Sequence, residues 1–335
     1  MAENQNLPVI EIRNLKKHFK VKNKGTLHAV DGISFSVNPG ETLGLVGESG
    51  CGKSTVGNVI MRLHKATEGE VLYKASSVLD SKGSESMEFR KKIQIIFQDP
   101  YSSLNPKKTI NSILEEAYRI HGLCEGRERQ KKIEEIIELC GLEQYVLEKY
   151  PHELDGGKRQ LVGIARALSL GPEFIVCDEP VSSLDVSIQA TIINLLMDLQ
   201  KKMNLSFLFI SHDLSVVRHI SQRVAVMYLG QIIEIANTDM IFANALHPYT
   251  IALLSAVPKI NFEEKTGRIV LKGDVPSPIN PGEGCRFAPR CFLCRDICKT
   301  KKPELEEAEP GHRVACHFYK ETREYARNLE AGETE

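Results

Sequence analysis

Apolar positions along the chain follow two different spacings. Short runs such as "VIEIRNL", "AVDGISFSV" and "ETLGLVG" fill residues 7 to 46, broken by turn residues that include "NPGE" at 38 to 41, and they predict strands. From Ser54 to about Leu63 the spacing turns helical, and residues 69 to 98 return to strand character, ending in "KKIQIIFQ". Between 110 and 150, "INSILEEAYRIHG" and "RERQKKIEEIIELCG" are amphipathic helices, each closed by a glycine. "FIVCDEP" at 174 to 180 reads as a buried strand and "SIQATIINLLMDLQKKM" at 187 to 203 as a helix. "LSFLFISHD" and "RVAVMYLGQIIEIA" add strands with a helix between them. Strand and helix in alternation predict an α/β fold, a mostly parallel sheet covered by helices, with a helical stretch at about 100–170. After about residue 256 the periodicity gives way to proline, glycine and cysteine, so a small cysteine-containing C-terminal appendage is expected there, dividing the chain into 1–255 and 256–335.

The length of 335 residues suits one large domain with a smaller appendage, and 42% hydrophobic with 26% charged residues describes an ordinary globular chain. With 43 basic against 44 acidic residues, nothing predicts general nucleic-acid affinity. No apolar run reaches the ~18 residues that span a bilayer. The opening "MAENQNLPVIEIRN" lacks the pattern of a signal peptide, so the expectation is a cytoplasmic chain whose role in any transport would need separate membrane-spanning partners. Of nine cysteines, Cys51, Cys124, Cys140 and Cys177 are scattered, whereas Cys285, Cys291, Cys294, Cys298 and Cys316 crowd together. In a reducing compartment such crowding points to a metal or cluster site.

"GLVGESGCGKST" carries Gly47, Gly52, Lys53 and Ser54 in the order G-x-x-x-x-G-K-[ST], after a strand and at the start of a helix. The glycines let backbone N–H groups curl around phosphate oxygens, and the helix start adds partial positive charge. Lys53 is then expected on the outer phosphates and the Ser54 hydroxyl on Mg²⁺, which defines a nucleoside triphosphate site. Asp178 and Glu179 end an apolar strand whose C-terminal end should lie beside this loop, so Asp178 can hold the Mg²⁺ shell and Glu179 can polarise an attacking water. Gln98 closes "IIFQ" and His212 closes "LFISH". Two more polar residues at strand ends imply convergence on the same site.

The ordered set "GESGCGKST", "FQDP", "LDGGKRQ", "FIVCDEP", "SSLD" and "ISHD" resembles the ATPase subunits of ABC transporters, P-loop NTPases, over residues 9 to 240. The resemblance implies a head-to-tail dimer with two ATPs between phosphate loops and opposing signature motifs. It implies ATP binding by Phe19 (or His18) on adenine and by Gly47, Ser49, Gly50, Cys51, Gly52, Lys53, Ser54, Thr55, Gln98 and Asp178. Mg²⁺ would be held through Ser54, Gln98 and Asp178, Glu179 would be the catalytic base, His212 the switch histidine, and Asp185 part of the D-loop. "HPYTIALLSAVP", "GDVPSPINPGEGCRFAPRC" and "HRVACH" narrow the likeness to dipeptide/oligopeptide importers, in which a membrane-peripheral ATPase on the cytoplasmic face serves two membrane-spanning permease subunits. An extracytoplasmic binding protein and a second, homologous ATPase subunit belong to the same expectation. On that pattern Cys285, Cys291, Cys298 and Cys316 would bind a [4Fe–4S] cluster. Cys294 adds a C-x₂-C pair with Cys291 that suits Zn²⁺, and free thiols are the third reading. His312 and His317 carry zinc-ligating groups but read as ordinary surface residues.

One departure stands out in "LDGGKRQ". Asp155 stands where the family has serine and Lys158 where it has glutamine, beside Gly156 and Gly157, which would approach the partner's ATP. A carboxylate can only accept hydrogen bonds and repels a phosphate, although it also makes a good helix N-cap. The expectation is an ATP-driven peptide importer subunit in an asymmetric heterodimer. The alternatives are a soluble ABC ATPase acting on nucleic acid, disfavoured by the single ATPase core and the balanced charge, and a regulatory subunit with little turnover of its own.

Overall fold

Residues 174–178 and 206–211 are buried at every position, as strands covered on both faces must be. Alternate residues serve different layers: Ile175 and Cys177 join one apolar core with Phe207 and Phe209, while Phe174 and Val176 join the other with Leu208 and Ile210. The computed structural model describes residues 7–257 and 269–331. Strands β1 (Ile10–Val21) and β2 (Gly25–Val37) form a long hairpin, followed by β3 (Thr42–Val46), helix α1 (Lys53–Ile60), β4 (Glu68–Tyr73), β5 (Ser76–Ser77), α2 (Gly83–Lys92) and β6 (Ile93–Ile96). Helices α3 (Pro100–Ser103), α4 (Ile110–Ile120), α5 (Gly126–Leu139) and α6 (Gly156–Leu168) lead to β7 (Phe174–Asp178), α7 (Val186–Met203) and β8 (Ser206–Ser211). Then come α8 (Leu214–Ile220), β9 (Arg223–Tyr228), β10 (Gln231–Asn237), α9 (Thr238–Ala243) and α10 (Pro248–Ser255). Helix α11 (Asp296–Thr300), β11 (Glu306–Glu309), β12 (His312–Val314) and α12 (Tyr319–Ala331) follow.

The main sheet has the order β11-β12-β10-β9-β3-β8-β7-β6, parallel from β9 to β6 and antiparallel at its other edge. The parallel part matches the sequence expectation. A second sheet, β2-β1-β4-β5, is antiparallel and was not expected; it packs its apolar face over α1 and the near face of the main sheet. The strand character expected throughout 69–98 is also corrected, because α2 interrupts it. That helix buries only Phe89, so it carries almost no apolar period to read.

Residues after 257 do not stand apart from the rest of the fold where they are described. Strand β12 extends the main sheet, pairing Val314 with Glu234 and Arg313 with Ile235 of β10. His312 is not a surface residue: it is fully buried, and its Nε2 meets Glu234 Oε1 at 2.7 Å. The same carboxylate accepts the backbone N–H groups of Leu246 (2.6 Å) and His247 (3.0 Å). A buried carboxylate needs such saturation, because an unpaired one would be strongly destabilising.

Candidate nucleotide site

Parallel strands bring their C-terminal ends to one edge, which is where crevices form in sheets of this kind. The loop after β3, Gln98 after β6, Asp178 at the end of β7 with Glu179 next to it, and His212 after β8 all meet there. Phe19, Ser49, Gly50, Cys51, Gly52, Lys53, Ser54, Thr55, Gln98, Glu179 and His212 line one cavity of about 550 Å³. Two glycines of the loop are dictated by close approach. A Cβ on Gly47 would lie 2.1 Å from the Met227 carbonyl, and one on Gly52, at φ 107°, 2.0 Å from the Ala29 carbonyl. Helix α1 begins at Gly52 with no side-chain cap and no acidic residue in its first turn, so its N–H groups and partial positive charge stay available to an anion.

Lys53 is buried, with Nζ donating to the carbonyls of Gly47 (2.8 Å) and Glu48 (3.0 Å). Ser54 Oγ donates to Asp178 Oδ1 at 2.8 Å, so hydroxyl and carboxylate already share one locus. Burial pushes the Asp178 carboxyl above its usual range, the Ser54 hydrogen bond opposes this, the Glu179 charge adds to it and Lys53 offsets part. Gln98 Nε2 donates to Glu179 Oε2 at 3.2 Å, and His212 Nδ1 lies 3.1 Å from the same oxygen. Glu179 itself sits at φ 46°, a left-handed backbone rare for a residue with a Cβ, of the kind that clusters at functional sites.

Not every expected residue is at this cavity. His18 turns away and bonds Asp31 Oδ1 at 2.9 Å, which leaves Phe19 on the wall. Gly47 and Asp178 are not among its walls, Asp178 reaching it only through Ser54, and Asp155, Gly156, Gly157, Lys158 and Asp185 lie outside it. Asp155 caps α6, accepting the Lys158 N–H at 2.8 Å, and Asp185 precedes α7 without a side-chain cap bond. The glycine pair also has a reason inside the chain, since a Cβ on Gly157 would lie 2.9 Å from Ile188 and one on Gly156 3.3 Å from Leu184. Sequence reasoning missed Leu27, His28, Ala29 and Gly230, and missed Pro278 altogether, whose carbonyl accepts the His28 N–H at 3.0 Å. Only the fold brings Pro278 to β2, so no local signal could have found it.

Cys285, Cys291, Cys298 and Cys316 line a second, small cavity of about 20 Å³ together with Phe287 and His317, and Cys294 is not among its walls. Burial pushes Cys291 up to about 12 and Cys316 up to about 11. Four thiols fit the donor set of an iron–sulfur cluster or of zinc. Tetrahedral Zn²⁺ needs sulfurs about 3.8 Å apart. Among the described residues the one trio of metal-ligating groups within 4.8 Å of each other is His18, His28 and Asp31, so no three of these thiols are that close. The space between them is about the size of one water, so the side chains would have to turn outward to hold either group. In that trio both histidines face Asp31 Oδ1, while Arg286 pairs with the other oxygen, Oδ2, and so balances the carboxylate charge.

A phosphate loop, an Asp–Glu pair at the end of a central strand and polar groups from two neighbouring strands define an ATP-binding cassette ATPase. The ABC transporter family pattern matches residues 30–182, and the pattern of the oligopeptide/dipeptide transporter C-terminal region matches 233–298. The chain belongs to the ATP-binding subunits of oligopeptide/dipeptide ABC transporters. It is 52% identical over 320 residues to the oligopeptide transport ATP-binding protein AppF of Bacillus subtilis, covering 93% of this chain and 97% of that one. The dipeptide transport ATP-binding protein DppF of Haemophilus influenzae is 47% identical, over 93% of this chain and 97% of its own. Among solved structures, the dimeric bacterial ABC transporter cassette MJ0796 superimposes with a TM-score of 0.63 at 30% identity, covering 68% of this chain and 98% of that one. A post-hydrolysis form of that cassette, bound to ADP and Pi, gives 0.62 at 29% identity, over 68% and 98% of the two chains. The likeness to peptide transport proteins sets the nucleic-acid alternative aside. No helix among the described residues is long and apolar enough to cross a membrane.

Proposed function

We propose that this chain hydrolyses ATP on the cytoplasmic face of a membrane to drive peptide uptake through two permease subunits, with an extracytoplasmic binding protein delivering the peptide. The observation that carries the reading is the meeting of Gln98, Glu179 and His212 on one carboxylate oxygen opposite Ser54 and Asp178. Phe19 stacks on adenine, and the backbone of Ser49 to Thr55 with Lys53 cradles the phosphates. Ser54, Asp178 and Gln98 would hold Mg²⁺, which would supply charge neutralisation at the phosphates. Glu179 accepts a proton from the attacking water, and His212 orients that carboxylate through Nδ1.

Asp155 to Lys158 and Asp185 face a second ATPase subunit, and the exposed Asp155 carboxylate makes the partner's ATP site the slower one of a heterodimer. Residues 1–255 form the ATPase domain and 256–335 the extension, whose Cys285, Cys291, Cys298 and Cys316 hold a [4Fe–4S] cluster, with Zn²⁺ as the alternative. Purification of the intact complex tests these points together, by subunit mass spectrometry and by iron and zinc analysis. For catalysis, Glu179→Gln should keep ATP binding and lower turnover by roughly 10²-fold or more, the scale of a lost general base. Turnover at the wild-type rate would overturn the assignment.

A further inference from the structure

The phosphate loop carries an acid. Glu48 follows Gly47 directly, in a segment that must receive several negative charges, and an uncompensated carboxylate there would oppose a triphosphate. The structure compensates it from the far end of the chain. Arg290 Nη1 meets Glu48 Oε2 at 2.8 Å, with the arginine side chain 9% exposed and the glutamate 29%. The Glu48 N–H donates to the hydroxyl of Tyr249 at 2.8 Å, and its carbonyl accepts from Lys53 Nζ at 3.0 Å. Lys53 therefore leans on a peptide unit whose side chain and N–H are both held by residues beyond 248.

Those two anchors adjoin residues that line the cysteine cavity. Tyr249 packs on Phe287 at 5.5 Å between ring centroids, Phe287 lines the cavity, and Arg290 ends the turn Ala288–Arg290 that runs straight into Cys291. Resting on the nucleotide-site reading above, we infer that Arg290 is a positioning residue for ATP binding, masking the Glu48 charge and fixing the loop that presents Lys53. The C-terminal extension is in this sense a component of the ATP site as well as of the thiol site.

The test uses the intact complex, with a fluorescent ATP analogue and Mg²⁺ for affinity and steady-state hydrolysis for KM and kcat. Arg290→Met should weaken ATP binding and raise KM by about 10-fold while kcat changes by less than about two-fold, because the reacting groups are untouched. Arg290→Lys should recover part of the loss. Glu48→Gln placed in the Arg290→Met background should restore affinity to near wild type, since the exposed charge is gone; this double variant also buries no unpaired ion if the single one fails to fold. Unchanged affinity in Arg290→Met, or no recovery in the double variant, overturns the inference. A wild-type complex that binds no ATP overturns the nucleotide-site reading as well, whereas wild-type binding with an unaffected Arg290→Met overturns this inference alone.

Discussion

The Asp155 carboxylate accepts the backbone N–H of Lys158 at 2.8 Å, while its other oxygen lies 3.6 Å from the Lys158 ammonium. The first contact satisfies one of the orphan donors at the start of α6, and serine would do this about equally well. Stability therefore gives no reason to keep aspartate in preference to serine, and the difference between them is charge and the loss of a hydroxyl donor toward a phosphate. Asp155→Ser should leave the melting temperature unchanged and raise turnover of the complex several-fold, whereas Asp155→Ala should cost about 1 kcal/mol of stability. Melting curves and steady-state ATPase rates for both variants check this, and unchanged turnover in Asp155→Ser would leave only the cap. At this scale the sequence was most legible where chemistry is local. Gly47, Gly52, Lys53 and Ser54 fall within one loop, and Asp178 and Glu179 are neighbours. His312 was misread because its partner Glu234 is remote along the chain, and nothing beside "GHRVACH" marks it as buried.

Among elements, the β1–β2 hairpin shows how a wall of the nucleotide site is braced. Asp31 on β2 faces His18, His28 and Arg286, and Asn280 ties to Thr26 through its side chain and backbone, each at 2.9 Å. Burial works to raise the Asp31 carboxyl, but the His18 hydrogen bond together with Arg286 and His28 outweighs it and holds the group below its ordinary value. For an acid with a depressed folded pKa, the stabilisation is complete above the unfolded value and is lost as pH falls through the folded one. Asp31→Asn should therefore be less stable at neutral pH by roughly 3 kcal/mol, since Arg286 is left buried without its partner. The deficit should shrink as pH drops below the ordinary aspartate range, because the wild type then loses the same pair. Denaturation midpoints from neutral to acid pH would show the two curves converging; a constant gap would sink the account. The main parallel sheet and the helices at 110–150 were readable because they are long and periodic. Helix α2 was not, since it buries one residue, and the antiparallel sheet was not, since its strands look like any others until their partners are known.

For the molecule as a whole, the question is whether the segment after 257 folds with the ATPase core or beside it. The shift in composition after residue 256 suggested a separate appendage, because proline, glycine and cysteine carry no period that reveals a neighbour. In the structure β12 lies on β10, His312 reaches into the core to Glu234, Pro278 touches β2, and Arg286 and Arg290 reach Asp31 and Glu48. These contacts reach both sheets and the phosphate loop, so loss of one anchor should be felt by the whole unit. His312→Ala removes one of three donors from a fully buried carboxylate, and because two backbone N–H groups remain, the cost should sit near the lower end for a broken buried pair, about 3 kcal/mol. If extension and core form one cooperative unit, calorimetry of the variant should give a single transition moved down by several degrees, with ATP raising it as in the wild type. An independent appendage would behave differently: a low-temperature transition would split off, and the ATP-sensitive transition would stay where the wild type has it.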